Sequence, residues 1–156
     1  MFSTADGVEG TKQLDLYLEA QTAYQGQIWH ALGNHECTGA TNSNCGPYGK
    51  DGNTKLYQAF LDKMVKPRGL DNPWFAVHYK AKDGSWTAKF VFVAANAWDA
   101  VQAKWLDATL ATADGLAAYT IVVRHHPPGD SSVATITTGR VMIDKVSDAH
   151  TSAGCP

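Results

Sequence analysis

Two short apolar runs in this chain each break off into a loop rich in metal-binding and proton-carrying side chains. Gln27-Ile28-Trp29-His30-Ala31-Leu32 leads into Gly33-Asn34-His35-Glu36, and Tyr119-Thr120-Ile121-Val122-Val123 leads into Arg124-His125-His126-Pro127-Pro128-Gly129. Apolar runs of this length, bounded by Gly and Pro, are too short for core helices and read as buried strands. Residues 74–79 and 86–93 also read as strands, joined by a hairpin turn at Asp83-Gly84. The intervening segments carry helical spacing. Leu14, Tyr17, Leu18, Gln21 and Tyr24 make one stripe over residues 11–25, and Gly26 ends it. Leu56, Phe60, Leu61 and Met64 face inward over residues 54–65, behind a Thr54 or Asn53 cap and ahead of the breakers Pro67 and Gly69. Val101, Trp105 and Ala108 share a face over residues 99–112. Residues 133–138 read as β-like or irregular, and 140–148 as a helix. The order helix, strand, helix, hairpin, helix, strand, helix predicts an α/β fold with a mixed sheet. No linker or repeat divides it, so residues 1–156 read as a single domain.

Composition narrows the function classes. The chain has 156 residues, 44% hydrophobic and 18% charged, which suits a globular core. With a net charge of −2 and no basic run, nucleic acid is not the expected partner, because neutralising phosphates takes clustered Lys and Arg. No apolar stretch reaches the roughly 18 residues of a membrane span. Residues 1–7 do not read as a signal peptide. Cys37 and Cys45 flank a polar, turn-forming loop that a disulfide could staple, which would point to an exported parent protein. Cys155 is then left odd; the alternative is three free thiols.

An Asn-His pair after a strand offers an amide oxygen to a metal and an imidazole to a substrate. An acidic neighbour can hold that imidazole's orientation. The second loop brings two more histidines to a strand end, where open α/β sheets place their chemistry. Together the Gly33-Asn34-His35-Glu36 block and the strand followed by His125-His126-Pro127-Pro128 resemble the calcineurin-like metallophosphoesterases, which include purple acid phosphatases and phosphodiesterases. Ala94-Ala95-Asn96-Ala97-Trp98-Asp99, followed by Gln102-Ala103-Lys104-Trp105-Leu106, is similar to a strand, loop and Q-x-x-W-L helix found in many members. The resemblance spans roughly residues 28–146.

The family fold is a four-layer α/β/β/α sandwich, of which this chain would supply the middle and later part. The family activity is metal-dependent hydrolysis of phosphate mono- or diesters, on small phosphoester substrates. The resemblance makes Asn34 and His125 ligands of one divalent ion (Mn, Zn, Fe or Mg). His126 is the alternative to His125, since consecutive residues cannot both point into one site. His35 would stabilise the transition state and protonate the leaving group, with Glu36 orienting its ring. Of the family's five blocks only these two stand in place. The D-x-H and G-D blocks expected before Gly33, and the G-H-x-H block expected after Asp148, do not. Asp148-Ala149-His150 spells D-x-H and is a further candidate metal-binding block. A non-catalytic binding domain is the competing expectation. It carries the prediction of an exposed sheet edge and apolar patch that favour homo-oligomers.

Overall fold

The structure is a computed structural model that describes residues 6–38, 45, 54–111 and 118–125. His126, Asp148, His150 and the elements expected over 133–138 and 140–148 lie outside the described residues. The described elements run α1 (Val8–Gln21), a 3-10 turn (His35–Cys37), α2 (Lys55–Phe60), β1 (Phe75–Lys80), β2 (Thr87–Phe92), a 3-10 turn (Ala95–Ala97), α3 (Ala100–Ala111) and β3 (Tyr119–Val123). The three strands form one mixed sheet in the order β1-β2-β3. β1 pairs antiparallel with β2, and β2 pairs parallel with β3. The α/β class with a mixed sheet follows directly.

The hairpin forms as expected. Gly84 takes the left-handed conformation (φ 75°), and Asp83 Oδ1 accepts from Ser85 N and Oγ. Thr54 caps α2 by accepting from Tyr57 N at 3.1 Å. Beyond Phe60 the helix widens into a π turn (Leu61–Val65) and tightens into a 3-10 turn (Lys66–Arg68), which Gly69 closes at φ 73°. Leu56, Phe60 and Met64 are buried as the spacing predicts, with Leu61 packed beside them.

α3 covers one face of the sheet. Leu106 packs against Val91, Val93 and Trp98, with Ala76 and Val122 beside them. Lys89 reaches from the same face to the last turn of α3, donating from Nζ to Thr109 O at 2.6 Å. A cation there complements the helix's carbonyl end. On the opposite face Phe75 stacks on Phe92 with centroids 4.5 Å apart, and Trp29 packs against Phe75.

Several expectations need correction. α1 lies three to four residues earlier than its apolar stripe indicated, ending at Gln21, and Tyr17 and Tyr24 on that stripe are exposed. In α3 the inward residues are Gln102 and Leu106, while Val101 is 68% exposed. The face was misjudged because the central buried residue is polar, and an apolar count passes over it. β3 is only partly buried, on the side where Val122 packs toward α3, with Tyr119 60% and Ile121 42% exposed on the other. Trp98 is buried in the cluster with Leu106.

Residues 27–33 form no strand. An extended run becomes a strand only when a neighbouring backbone takes its N–H and C=O groups. Here side chains take them instead: Arg68 Nε donates to Ile28 O at 2.9 Å, and Glu36 Oε2 accepts from Gly33 N at 2.8 Å.

Candidate functional site

β2 and β3 run parallel, so their C-terminal ends open on the same edge of the sheet. The last ladder bond there is Val93 N to Val123 O, 2.9 Å. Two residues on, His125 leaves β3; one residue on, Ala94 begins the 3-10 turn. Leu32, fully buried in the cluster that also holds Ala94 and Ala97, brings the Gly33–Cys37 loop to this edge.

The structure joins two sequence candidates directly. Asn34 Oδ1 and His125 Nε2 lie 2.9 Å apart, although 91 residues separate them. An amide oxygen only accepts, so the bond places a proton on His125 Nε2. Gly33 lies beside this pair. A Cβ built there would meet Glu36 Oε2 at 3.0 Å and the His125 ring at 3.4 Å. The His125 ring thus packs against a backbone that carries no side chain. Its φ is not among the left-handed ones, so what a side chain would cost there is space, first against the Glu36 carboxylate.

His35 opens the 3-10 turn, and its carbonyl accepts from Thr38 N (3.2 Å) and Thr38 Oγ1 (2.9 Å). Glu36 bonds through both its side chain and its backbone. Its carboxylate turns back on the Gly33 amide, and its carbonyl accepts from Thr54 Oγ1 at 2.9 Å. One oxygen of the carboxylate thereby stiffens the backbone of the loop. Cys37 and Cys45 are disulfide-bonded, both in the core, with Cα atoms 4.9 Å apart. Cys45 N donates to Asn96 O at 3.1 Å, which ties the loop to the 3-10 turn after β2.

Arg124 precedes His125. Its guanidinium nitrogens are buried and have no hydrogen-bond partner among the described residues, and burial lowers its pKa. His30 is half-buried; its Nε2 lies 3.1 Å from Tyr17 Oη. Burial, and then the Arg68 charge, lower its pKa from 6.5 to about 4. Exposed His78 stands on β1 away from this edge.

The Asn34–His125 pair suits a divalent ion in chemistry and spacing. An amide oxygen and an imidazole nitrogen make a hard-to-borderline donor pair. Adjacent ligands about 2.1 Å from an octahedral ion stand about 3.0 Å apart, close to the spacing seen here. Such an ion takes about four to six donors, so this pair is part of a set. Among the described residues no cluster of three or more His, Cys, Asp or Glu side chains forms.

Gln102, which the sequence marks only as the first residue of the Q-x-x-W-L pattern, shapes this edge. The Gln102 side chain is fully buried and bonds to Ala94 N, Ala94 O and Ala97 O. A signal for it existed. Asp99-Ala100-Val101-Gln102 has capping-box spacing, and Asp99 Oδ1 does accept from Gln102 N at 2.6 Å. No protein-family model, curated protein or solved structure matches this chain.

Proposed function

We propose that this chain is a metallophosphoesterase-like domain that hydrolyses small phosphate mono- or diesters with divalent metal. In this reading the α/β core belongs to a four-layer α/β/β/α sandwich. The observation that carries it is the 2.9 Å approach of Asn34 Oδ1 and His125 Nε2 at the C-terminal edge of two parallel strands. Asn34 and His125 would hold the ion, with His126, Asp148 and His150 as candidate further donors. A bound divalent ion supplies charge neutralisation at the phosphate and a more acidic water. His35 is the residue to protonate the departing oxygen. Glu36 serves it indirectly, by bonding the Gly33 amide and setting the backbone from which Asn34 and His35 project. To offer Nε2 to a metal, His125 would have to carry its proton on Nδ1, the tautomer opposite to the one that donates to Asn34.

Elemental analysis of purified protein, paired with p-nitrophenyl phosphate turnover in Mn or Zn, tests the proposal. Asn34→Ala and His125→Ala should each lower metal content and cut turnover at least about 100-fold, since each removes a ligand that acts with the others. Protein that neither retains metal nor turns over substrate would defeat the reading.

A second reading, a binding domain without turnover, is favoured by the face of the sheet opposite α3. Tyr119, Ile121 and Trp86 are exposed there, and Trp29, Tyr79, Trp86, Phe90 and Phe92 line an open cavity of about 450 Å³. An uncovered aromatic face favours self-association. Light scattering that shows a clean monomer at high concentration counts against it.

A further inference from the structure

β2 ends in a way that leaves backbone groups to be satisfied. After Val93 the ladder stops, and the chain turns through Ala95–Ala97 inside the core, where Ala94, Asn96 and Ala97 are all buried. Backbone N–H and C=O groups buried without partners cost about 1–3 kcal/mol each. Gln102 meets two of them, Ala94 N and Ala97 O, with one side chain, and gives a second donor to Ala94 O, which also accepts from Ala97 N at 3.0 Å. Its Oε1 accepts from Ala94 N at 2.9 Å, and its Nε2 donates to Ala94 O at 3.2 Å and to Ala97 O at 3.1 Å. The carboxamide accepts from one residue's N–H and donates to its C=O, as a neighbouring strand would. Glu in this place has no N–H to give, and Asn is one methylene short.

The turn that Gln102 holds is in turn attached to the loop carrying Asn34 and His35. Asn96 O accepts from Cys45 N at 3.1 Å. Cys45 is bonded through sulfur to Cys37, and Cys37 closes the 3-10 turn that His35 opens, with Cys37 N donating to Asn34 O at 3.2 Å. Each link from Gln102 to His35 is a hydrogen bond, a covalent bond or a single turn of backbone.

We infer that Gln102 is a positioning residue for the Asn34–His35 loop, acting through the Ala94–Ala97 turn and the Cys37–Cys45 bridge. The consequence is redox-dependent: with the bridge reduced, Gln102 still holds its turn, but the loop no longer follows it. The inference rests on Asn34 and His35 being the functional residues. Its physical content, a coupling between two loops, is measured without metal or substrate.

The test is hydrogen exchange of the Cys37 and Thr38 amides, read against strand amides such as Val91 N, in four proteins: wild type, Gln102→Leu, Cys37→Ala/Cys45→Ala, and the triple variant. The nitrogen shifts of the His125 ring report the Asn34 bond in the same samples. Gln102→Leu should speed exchange at Cys37 and Thr38 at least 10-fold more than in the strands, and shift His125. In the bridge-free background the same substitution should change those amides less than twofold. Equal acceleration in loop and strands, or equal effects with and without the bridge, overturns it. Gln102→Glu keeps the Ala94 N bond and loses both donations, so it should fall between wild type and Leu. If Gln102→Leu does not fold, Gln102→Glu with and without the bridge decides by the same two comparisons. Failure here leaves the metal and turnover assays unaffected, and their failure leaves this coupling standing.

Discussion

Two approaches to one edge of the sheet are built differently. The exit of β2, Ala94–Ala97, carries on from a paired strand and is held by one buried glutamine and the Asn96–Cys45 bond. The approach to Gly33, residues 27–33, has no ladder among the described residues. Separate side chains hold it: Arg68 on Ile28 O, Tyr79 Oη on Trp29 Nε1 at 2.6 Å, Tyr17 on His30, and Glu36 on Gly33 N. The comparison teaches that a loop can be placed either by backbone geometry carried over from a sheet or by several independent anchors. The first is lost as a unit. The second is lost one anchor at a time, and one of its members titrates.

The largest expected effect breaks the unit. Opening the Cys37–Cys45 bridge, eight residues apart, should cost about 2.5 kcal/mol of stability by loop entropy, read from denaturant midpoints of oxidised and reduced protein. Next, Arg68→Ala removes the donor from Ile28 O and from Met64 O, 2.9 Å each. It should cost about 2 kcal/mol, since part-buried carbonyls are left to water or to nothing. It also takes away one of the two causes of the low His30 pKa, so that pKa should rise, as followed by ring NMR.

The pH dependence is a smaller effect. His30 titrates at about 4 in the folded chain and near 6.5 unfolded, so the unfolded chain binds more protons between those values. Its contribution is complete above about pH 6.5 and is lost as pH falls to about 4. With the ring half-exposed this is worth about 1 kcal/mol, seen as a drop in denaturant midpoint that His30→Gln should flatten. The smallest change in stability is expected from Gly33→Ala, about 0.5–1 kcal/mol, because the Glu36 carboxylate can yield by a few tenths of an ångström. The His125 ring, 3.4 Å from that Cβ, is in ordinary contact, so its ring nitrogen shifts should stay close to wild type while the denaturant midpoint falls slightly.

Much of the frame was legible in the sequence. β1, β2 and β3 lie within a residue or two of their apolar runs, and the Asp83-Gly84 turn and Thr54 cap form where turn and cap chemistry put them. The Cys37–Cys45 pairing was legible because a short polar loop between two cysteines favours closure. Residues 27–32 misled, because an apolar run states a wish to be buried and says nothing of whether a neighbour will pair with it. α3 misled in the opposite way: Gln102 is its most buried polar side chain, and hydrophobic spacing assigns such a residue to solvent. The bond from Gly33 N to the Glu36 carboxylate could not be read either, since a neighbouring imidazole and a nearby amide are equal partners by sequence alone.

The sequence by itself marked where the chain turns and caps, which two cysteines could pair, and which segments are apolar enough to be buried, because these follow from side-chain chemistry within a few positions. Only the tertiary structure decided that Asn34 meets His125 across 91 residues, that Gly33 lies against the Glu36 carboxylate and the His125 ring, and that Gln102 stands in for a missing strand. Each of those depends on which backbone groups are left unpaired once the sheet has formed, and that is settled by the partners a segment finds rather than by its own composition.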